Sequence, residues 1–402
     1  MNEPLTAMRP AEPFADLKAR AAAAVEAARD EILDLSHRIH ANPEPAFEEV
    51  KASAWVAEAI ARHGFTVEHP AGSLATAVRG RLVGGLGPDG PRIGILAEYD
   101  ALPGLGHGCG HNTMASSGVG AAIALAAIRD SLAGEIVFLG TPAEERGSGK
   151  EIMLNEGLFD GLDAALLYHP CDRNHVEISP LASEDAHVTF LGKQSHAASD
   201  PESGRNALAA MISLFVSVGL WRQQLPSHCR VHGIIAEGGT AANIIPDRTK
   251  AWFMIRSADQ AYYEVMKARF RVLCEAAALA ADVQVEVEFS GVAYTMKHNR
   301  TVASRWVANA EAYGVFDQGL DSSFGSTAMA NVSWKLPAIH PALSIVDVPT
   351  AGHTTEFRDA AAMPRADRTV LLAATLVAQT AIDLFADPSL VEAAWREFRG
   401  EG

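Results

Sequence analysis

Apolar residues recur at spacings of three and four from Leu17 through Ala21, Val25, Ala28, Ile32 and Leu35 to Ile39, which predicts one amphipathic helix over 14–40. Asn42-Pro43-Glu44-Pro45 stops it, and a second helix carries Val50, Trp55, Val56 and Ile60 to Gly64. The period then shortens. Phe65/Val67 and Ala75/Ala77/Val78 predict edge strands, the four glycines of 82–91 a turn, and Arg92–Ala97 a buried central strand. A small-residue helix is predicted over Ser116–Arg129, followed by short apolar strands at Ile136–Leu139 and Asp163–Tyr168. Helices and buried strands in this alternation predict an α/β domain, a mostly parallel sheet flanked by helices.

From Ser183 the texture changes. Strand-like alternation in Glu184–Phe190 leads into a long apolar helix ending at Trp221. Strands follow at Arg230–Ile235 and Lys250–Arg256, then a helix at Tyr262–Ala281 and a strand at Val283–Phe289. Strand–helix–strand–strand–helix–strand is the ferredoxin-like α+β order. The predicted organisation is therefore an inserted domain at 183–294 within a first domain built from 1–182 and 295–402. The returning chain reads as a helix over 300–312, a Gly/Ser-rich turn at Asp321–Thr327, strands near 331–346 and a closing apolar helix near 366–385.

A chain of 402 residues exceeds what one core usually organises, which agrees with two domains. The net charge of −16 argues against a nucleic-acid partner and against an anionic membrane surface. No apolar run reaching about 18 residues is evident, so no membrane span is expected. The first residues do not form a secretory signal, and four cysteines (109, 171, 229 and 274) lie far apart without a pairing pattern. A reducing cytoplasm is the expected compartment.

The chemistry concentrates in IGILAEYDALPGLGHGCGHNTM, 93–114. Cys109 and His111 stand two positions apart between glycines, and thiolate and imidazole are strong zinc donors. Glu98 and Asp100 are placed to orient a liganding imidazole. Read alone, this loop is equally that of a cysteine that merely packs. Two further strands end in ligand-type residues, Glu144-Glu145 in GTPAEERGSGK and His169 after DAALLY. Ligands in open α/β sheets gather at the carboxyl ends of strands, so three such ends in succession favour a metal centre over three coincidences.

CGHN at 109–112, GTPAEE at 140–145, His169, GKQSHAA at 192–198, ANIIPD at 242–247 and AGHTTEF at 351–357 occur in an order that resembles the M20 family of metallopeptidases. The cysteine-containing loop looks like its amidohydrolase branch, and EYDALPGLGHGCGHN is most similar to the subgroup of dipeptidases and aminobenzoyl-glutamate hydrolases. The resemblance runs from about residue 30 to 385. It implies that Cys109, His111, Glu145, His169 and His353 bind two divalent ions, zinc or manganese, and that Glu144 is the general base. It further implies a homodimer in which His232 reaches the partner's active site, with Asn243 and Arg256 near a substrate carboxylate. His107 matches no family ligand and reads as a positioning residue; His187 is set apart from the ligand set; His196 reads as a brace of the inserted domain's first turn or as a group that reaches the substrate, and His340 is open in the same way. Where relatives in this subgroup commonly carry Gly-Ser-Thr-Asp, this chain has Gly325-Ser326-Thr327-Ala328. An apolar Ala328-Met329, with Phe324 and Trp334 nearby in sequence, favours a less polar acyl group.

The implied activity is metal-dependent hydrolysis of the amide bond of an N-acyl amino acid or related small amide with a free carboxylate. A dipeptidase for unusual, β-alanyl or γ-linked, dipeptides is the alternative. A metal-free small-molecule-binding relative is the non-enzyme alternative, against which the presence of Glu144 speaks.

Overall fold

The computed structural model describes residues 14–319 and 326–401. The described chain divides into two compact units: one of 14–178 with 296–319 and 328–401, the other of 179–295 with 326–327. The Gly/Ser-rich turn read at Asp321–Thr327 lies mostly outside the described residues, as does Phe324.

The larger unit lays down strands β1 (Thr66–Glu68), β2 (Val78–Val83), β3 (Arg92–Glu98), β4 (Glu135–Thr141), β5 (Ala164–Leu166) and β6 (His169–Cys171). The smaller unit contributes β7 (Ala182–Leu191), β8 (Ser195–His196), β9 (Cys229–Glu237), β10 (Ile244–Ile245), β11 (Arg248–Ser257) and β12 (Gln284–Ala293). The chain returns with β13 (Ala338–Ile339) and β14 (Ala342–Ser344). In the larger unit the six-stranded order is β1-β2-β4-β3-β5-β13, parallel from β4 to β13 and antiparallel at β1 and β2. β3 and β4 are buried almost throughout because helices cover them, which is why they read as continuous apolar runs.

Several elements differ from expectation. The helix predicted over 14–40 is two, Ala15–Ala27 and Arg29–Ala41, broken at Ala28. The helix expected from Ser116 begins at His111, because Gly110 takes the left-handed conformation (φ 77°) that starts it. A Cβ at Gly110 would lie 2.7 Å from Pro170, so no other residue fits there without movement. Strands expected near 331–346 give way first to a short helix, Met329–Ser333. The closing helix Pro364–Ala386 is long and apolar enough to cross a membrane, contrary to the expectation that no such run exists. Its apolar window is 89% buried within the fold, so that surface is consumed by core packing.

The smaller unit is a four-stranded antiparallel sheet in the order β12-β7-β11-β9. Helices Ala207–Trp221 and Gln260–Ala280 bury Met211, Leu214, Tyr263 and Phe270 against Val188, Phe190 and Phe253 of its inner face. Alternate residues of β11 therefore point inward, while Trp252, Met254 and Arg256 take the opposite face.

Candidate metal centre

Four segments of the larger unit converge at the C-terminal side of its sheet. The loop after β3 ends in Cys109, and His111 occupies the first turn of the helix that follows. Asp100 fixes that imidazole: His111 Nδ1 lies 2.9 Å from its carbonyl oxygen and 3.0 Å from Oδ1. Two acceptors on Nδ1 place the proton there and leave Nε2 with a lone pair. Asp100 Oδ2 also accepts from the backbone N–H of Glu145 at 2.9 Å, so one carboxylate registers two segments against each other.

His169 is not past the end of the Asp163–Tyr168 strand, as expected, but opens a second short strand, β6, paired in parallel with β14. Its Nδ1 sits 2.6 Å from the Pro170 carbonyl, which aims Nε2 at Cys109 Sγ, 3.6 Å away. His353 arrives from far along the chain in a left-handed conformation (φ 62°), its N–H bonded to Gly108 O at 2.8 Å. His353 Nε2 faces Glu145 Oε1 at 3.3 Å. Potential donor atoms thus fall into two triplets that share Cys109, one with His111 and His169, the other with Glu145 and His353. A third grouping joins His111 to Glu98 and Glu144.

These residues fit a metal. His111 Nε2 and Glu145 Oε1 are buried and face Glu98 Oε2 and His353 Nε2 at 3.3 Å without a well-formed hydrogen bond, an arrangement that a cation would relieve. A tetrahedral zinc holds nitrogen and oxygen ligands about 3.4 Å apart and a sulfur–nitrogen pair about 3.6 Å apart. The Glu145–His353 and Cys109–His169 separations of 3.3 and 3.6 Å match those edges.

The electrostatics are those of a dry, crowded site. Burial pushes the Cys109 thiol far above its usual range, so a cation is needed to hold the thiolate. Burial keeps His169 neutral by pulling its pKa down to about 4. His353 is raised by its carboxylate partner Glu145. Glu144 is pushed up to about 8, by burial first and then by the charges of Glu98 and Glu145. Its Oε1 accepts the Ala328 N–H at 3.1 Å. Position 328 therefore meets Glu144 through its backbone, and the Ala328 and Met329 side chains are buried. Trp334 lies beneath the Lys297 ammonium, 5.3 Å from the ring centre.

Sequence reasoning missed Lys150. Fully buried, it pairs with Glu98, whose other oxygen faces His111 Nε2 at 3.3 Å. Glu98 is thus not the residue that orients His111 through Nδ1; Asp100 is. Lys150 closes the GTPAEERGSGK motif, and with Gly149 before it and Glu151 after it nothing local marks it as buried. His340, fully buried, packs edge-on against His169 with ring centres 5.3 Å apart. His107 is a brace, with Nε2 3.1 Å from Ile39 O.

The remaining candidates belong to the smaller unit. His232 on β9 stands opposite Met254, and Arg256 on β11 stands opposite Arg230. The Arg256 guanidinium is half-buried and contacts Met254 Sδ at 2.9 Å. Asn243 precedes β10, its carbonyl accepting from Ala197 N. His187 stacks on Trp252, and His196 Nδ1 accepts from Ala198 N and Ser199 N at 3.2 Å, bracing that turn.

The model of peptidase family M20/M25/M40 matches residues 94–374. The Xaa-Arg dipeptidase of Mus musculus is 35% identical over 418 residues, covering 97% of this chain and 96% of the mouse protein. One of the chains that make up the p-aminobenzoyl-glutamate hydrolase of Escherichia coli is 28% identical, with 93% of this chain and 93% of that one covered. Among solved structures, a dinuclear metal-binding M20 peptidase from Bacillus subtilis superposes with a TM-score of 0.71 at 20% identity, covering 90% of this chain and 99% of that one.

Proposed function

The chain belongs to peptidase family M20/M25/M40 and is a metal-dependent amidohydrolase, and from that premise we propose that it cleaves a small amide whose amine half is an amino acid with a free carboxylate. The observation that carries this reading is the paired donor set around Cys109 with the half-buried Glu144, outside both Cys109 triplets, beside it. Two divalent ions held by Cys109, His111, Glu145, His169 and His353 would supply Lewis acidity toward the amide carbonyl and the attacking water. Glu144, which the ions' charge would keep ionised despite its surroundings, takes the water's proton and returns it to the departing amine. Ala328 N–H holds the carboxylate in place while it does so. The thiolate favours zinc, and the carboxylate also admits manganese.

His232 is assigned to the developing oxyanion, and Asn243 with Arg256 to the substrate carboxylate, for which a guanidinium offers a two-pronged fit. A homodimer supplies His232 in trans. The unpaired edge of β9 and the exposed row Ile212, Val216 and Leu220, one helical turn apart, support such an assembly of the smaller unit. The described cysteines are all free thiols, consistent with a cytoplasmic location.

The dipeptidase reading has a specific observation in its favour, the 35% identity over nearly full length to an Xaa-Arg dipeptidase. The apolar-acyl preference is weaker, since Trp334 is engaged by Lys297. The test is a panel of Xaa-Arg and β-alanyl dipeptides, N-acyl amino acids and their carboxamide-capped forms, assayed with metal-reconstituted protein. Hydrolysis confined to free-carboxylate compounds is the expected result. Equal rates on capped compounds, or activity indifferent to chelation, would overturn the proposal.

A further inference from the structure

We propose that Glu49 is a positioning residue for the general base, holding the turn that carries Glu144 in its working conformation. The inference rests on the hydrolase reading above. Among the described residues, non-glycine positions with left-handed backbone are few, and two of them are Phe47 (φ 65°) and Ala143 (φ 56°). Both donate their N–H to the same oxygen, Glu49 Oε1, at 3.0 and 2.8 Å. Left-handed backbone in residues with a Cβ persists only where the surroundings over-determine it. Here one carboxylate does so for two segments that are distant in sequence.

Glu49 is itself fully buried and contributes to neither donor triplet. Its second oxygen accepts the Thr76 hydroxyl at 2.8 Å, and the Thr76 carbonyl accepts Tyr99 O–H at 2.5 Å. Tyr99 stands between Glu98 and Asp100, so the chain of bonds runs from the end of β3 to the turn after β4. The Phe47 ring lies where a Cβ on Gly147 would stand, 2.2 Å from that position, so the same loop also caps the far side of the turn.

The turn is consequently pinned on both sides of Glu144. Ala143 N–H is held by Glu49 and Glu145 N–H by Asp100 at 2.9 Å. Asp100 secures the residue of the donor set, and Glu49 secures the base. A carboxylate is suited to this task because one oxygen can accept two N–H groups while the other takes a hydroxyl. An apolar replacement would leave the buried Ala143 N–H and the part-buried Phe47 N–H without this acceptor and let Ala143 relax toward ordinary backbone. Displacing a catalytic group by about 1 Å costs on the order of a hundredfold in rate.

The test compares Glu49→Gln with Glu49→Leu, measuring kcat, KM, bound metal and thermal unfolding. The amide oxygen of Gln can keep both N–H bonds, so Glu49→Gln should stay within about threefold of wild type in kcat. Glu49→Leu should lose about 10–100-fold in kcat with KM and metal content unchanged. Adding Ala143→Gly, which removes the strain the carboxylate offsets, should return part of that kcat. A folded Glu49→Leu protein with wild-type kcat overturns the proposal. So does loss of activity in step with loss of metal, which would make Glu49 a support of the donor set. If Glu49→Leu does not fold, Thr76→Val decides. A severalfold fall in kcat at constant KM supports positioning, and unchanged kcat overturns it. Chelation and metal reconstitution of the wild type report on the hydrolase reading alone, so the two failures are distinguishable.

Discussion

The two halves of the metal centre are built differently. His111 and His169 stand on regular elements, a helix N-terminus and a strand, and His111 is 0% exposed with its ring registered by Asp100. Glu145 and His353 stand on turns. His353 is 54% exposed, and left-handed backbone occurs at His353 itself and at Ala143, Gly147 and Ser148. The deep half is fixed by the same hydrogen bonds that make the fold. The shallow half depends on local strain that the rest of the unit must hold. This division predicts a tightly kept ion at the deep triplet and an exchangeable one at the shallow triplet, where substrate has access.

The largest expected effect comes from breaking the deep half. His111→Ala should abolish activity to background and remove one ion, with excess metal failing to restore it, as measured by metal per chain against activity. Glu144→Gln, between the halves, should keep two ions and lose roughly 10²–10⁴-fold in kcat, the usual worth of general acid–base help. Retained turnover in that variant would reassign the base. His353→Ala should weaken one ion by roughly 10–100-fold and recover much of its rate at high metal concentration. If the two histidine variants behave alike, the contrast between deep and shallow halves is wrong.

The legible part of the centre was the part that strand endings announce. Cys109, Glu144-Glu145 and His169 each follow a short apolar run, and the order of strands, helices and strands in 183–294 translated directly into a ferredoxin-like sheet. Contacts that depend on topology were illegible. Nothing local says that Lys150 reaches Glu98, or that Glu49 reaches Ala143. Nor does periodicity reveal that Gly110 starts a helix early, since that follows from a backbone conformation and from Pro170 packed against it. The helix Pro388–Arg399 was missed because its amphipathic pattern follows an apolar helix with only Asp387 between them. Assigning His353 to the centre took a family pattern, because its partner Gly108 lies at the opposite end of the unit's sequence.

The smaller effects concern the periphery. Arg256→Ala should raise KM for free-carboxylate substrates by about tenfold with little change in kcat, a modest value because the guanidinium is only half-buried. Capped substrates should not respond. If they do, Arg256 acts through packing against Met254 rather than through the carboxylate.

The smallest and most diagnostic effect is on stability in the chelated protein. Glu144 has its folded pKa raised to about 8, chiefly by burial, from an unfolded value of 4.5. A raised pKa means that the folded state binds the extra proton, so the stabilisation is complete below 4.5 and is lost as pH rises through about 8. His353 is also raised, by Glu145, but from 6.5, so its contribution is full below 6.5 and declines only above it. Between pH 4.5 and 6.5 the two are therefore separable. Taking each variant's melting temperature minus that of wild type cancels the opposing titration of His169, which both proteins share. The Glu144→Gln difference should grow across that interval, by a few degrees at about 2–4 °C per kcal/mol. The His353→Ala difference should instead fall there, because losing the imidazole removes the hydrogen bond that lowers Glu145 and leaves burial to raise it, and should recover above 6.5. Saturating metal should flatten both, because the bound charges would hold Glu144 ionised and displace the proton from His353. A Glu144→Gln curve parallel to wild type throughout would show that the base is not the proton-holding group its surroundings require.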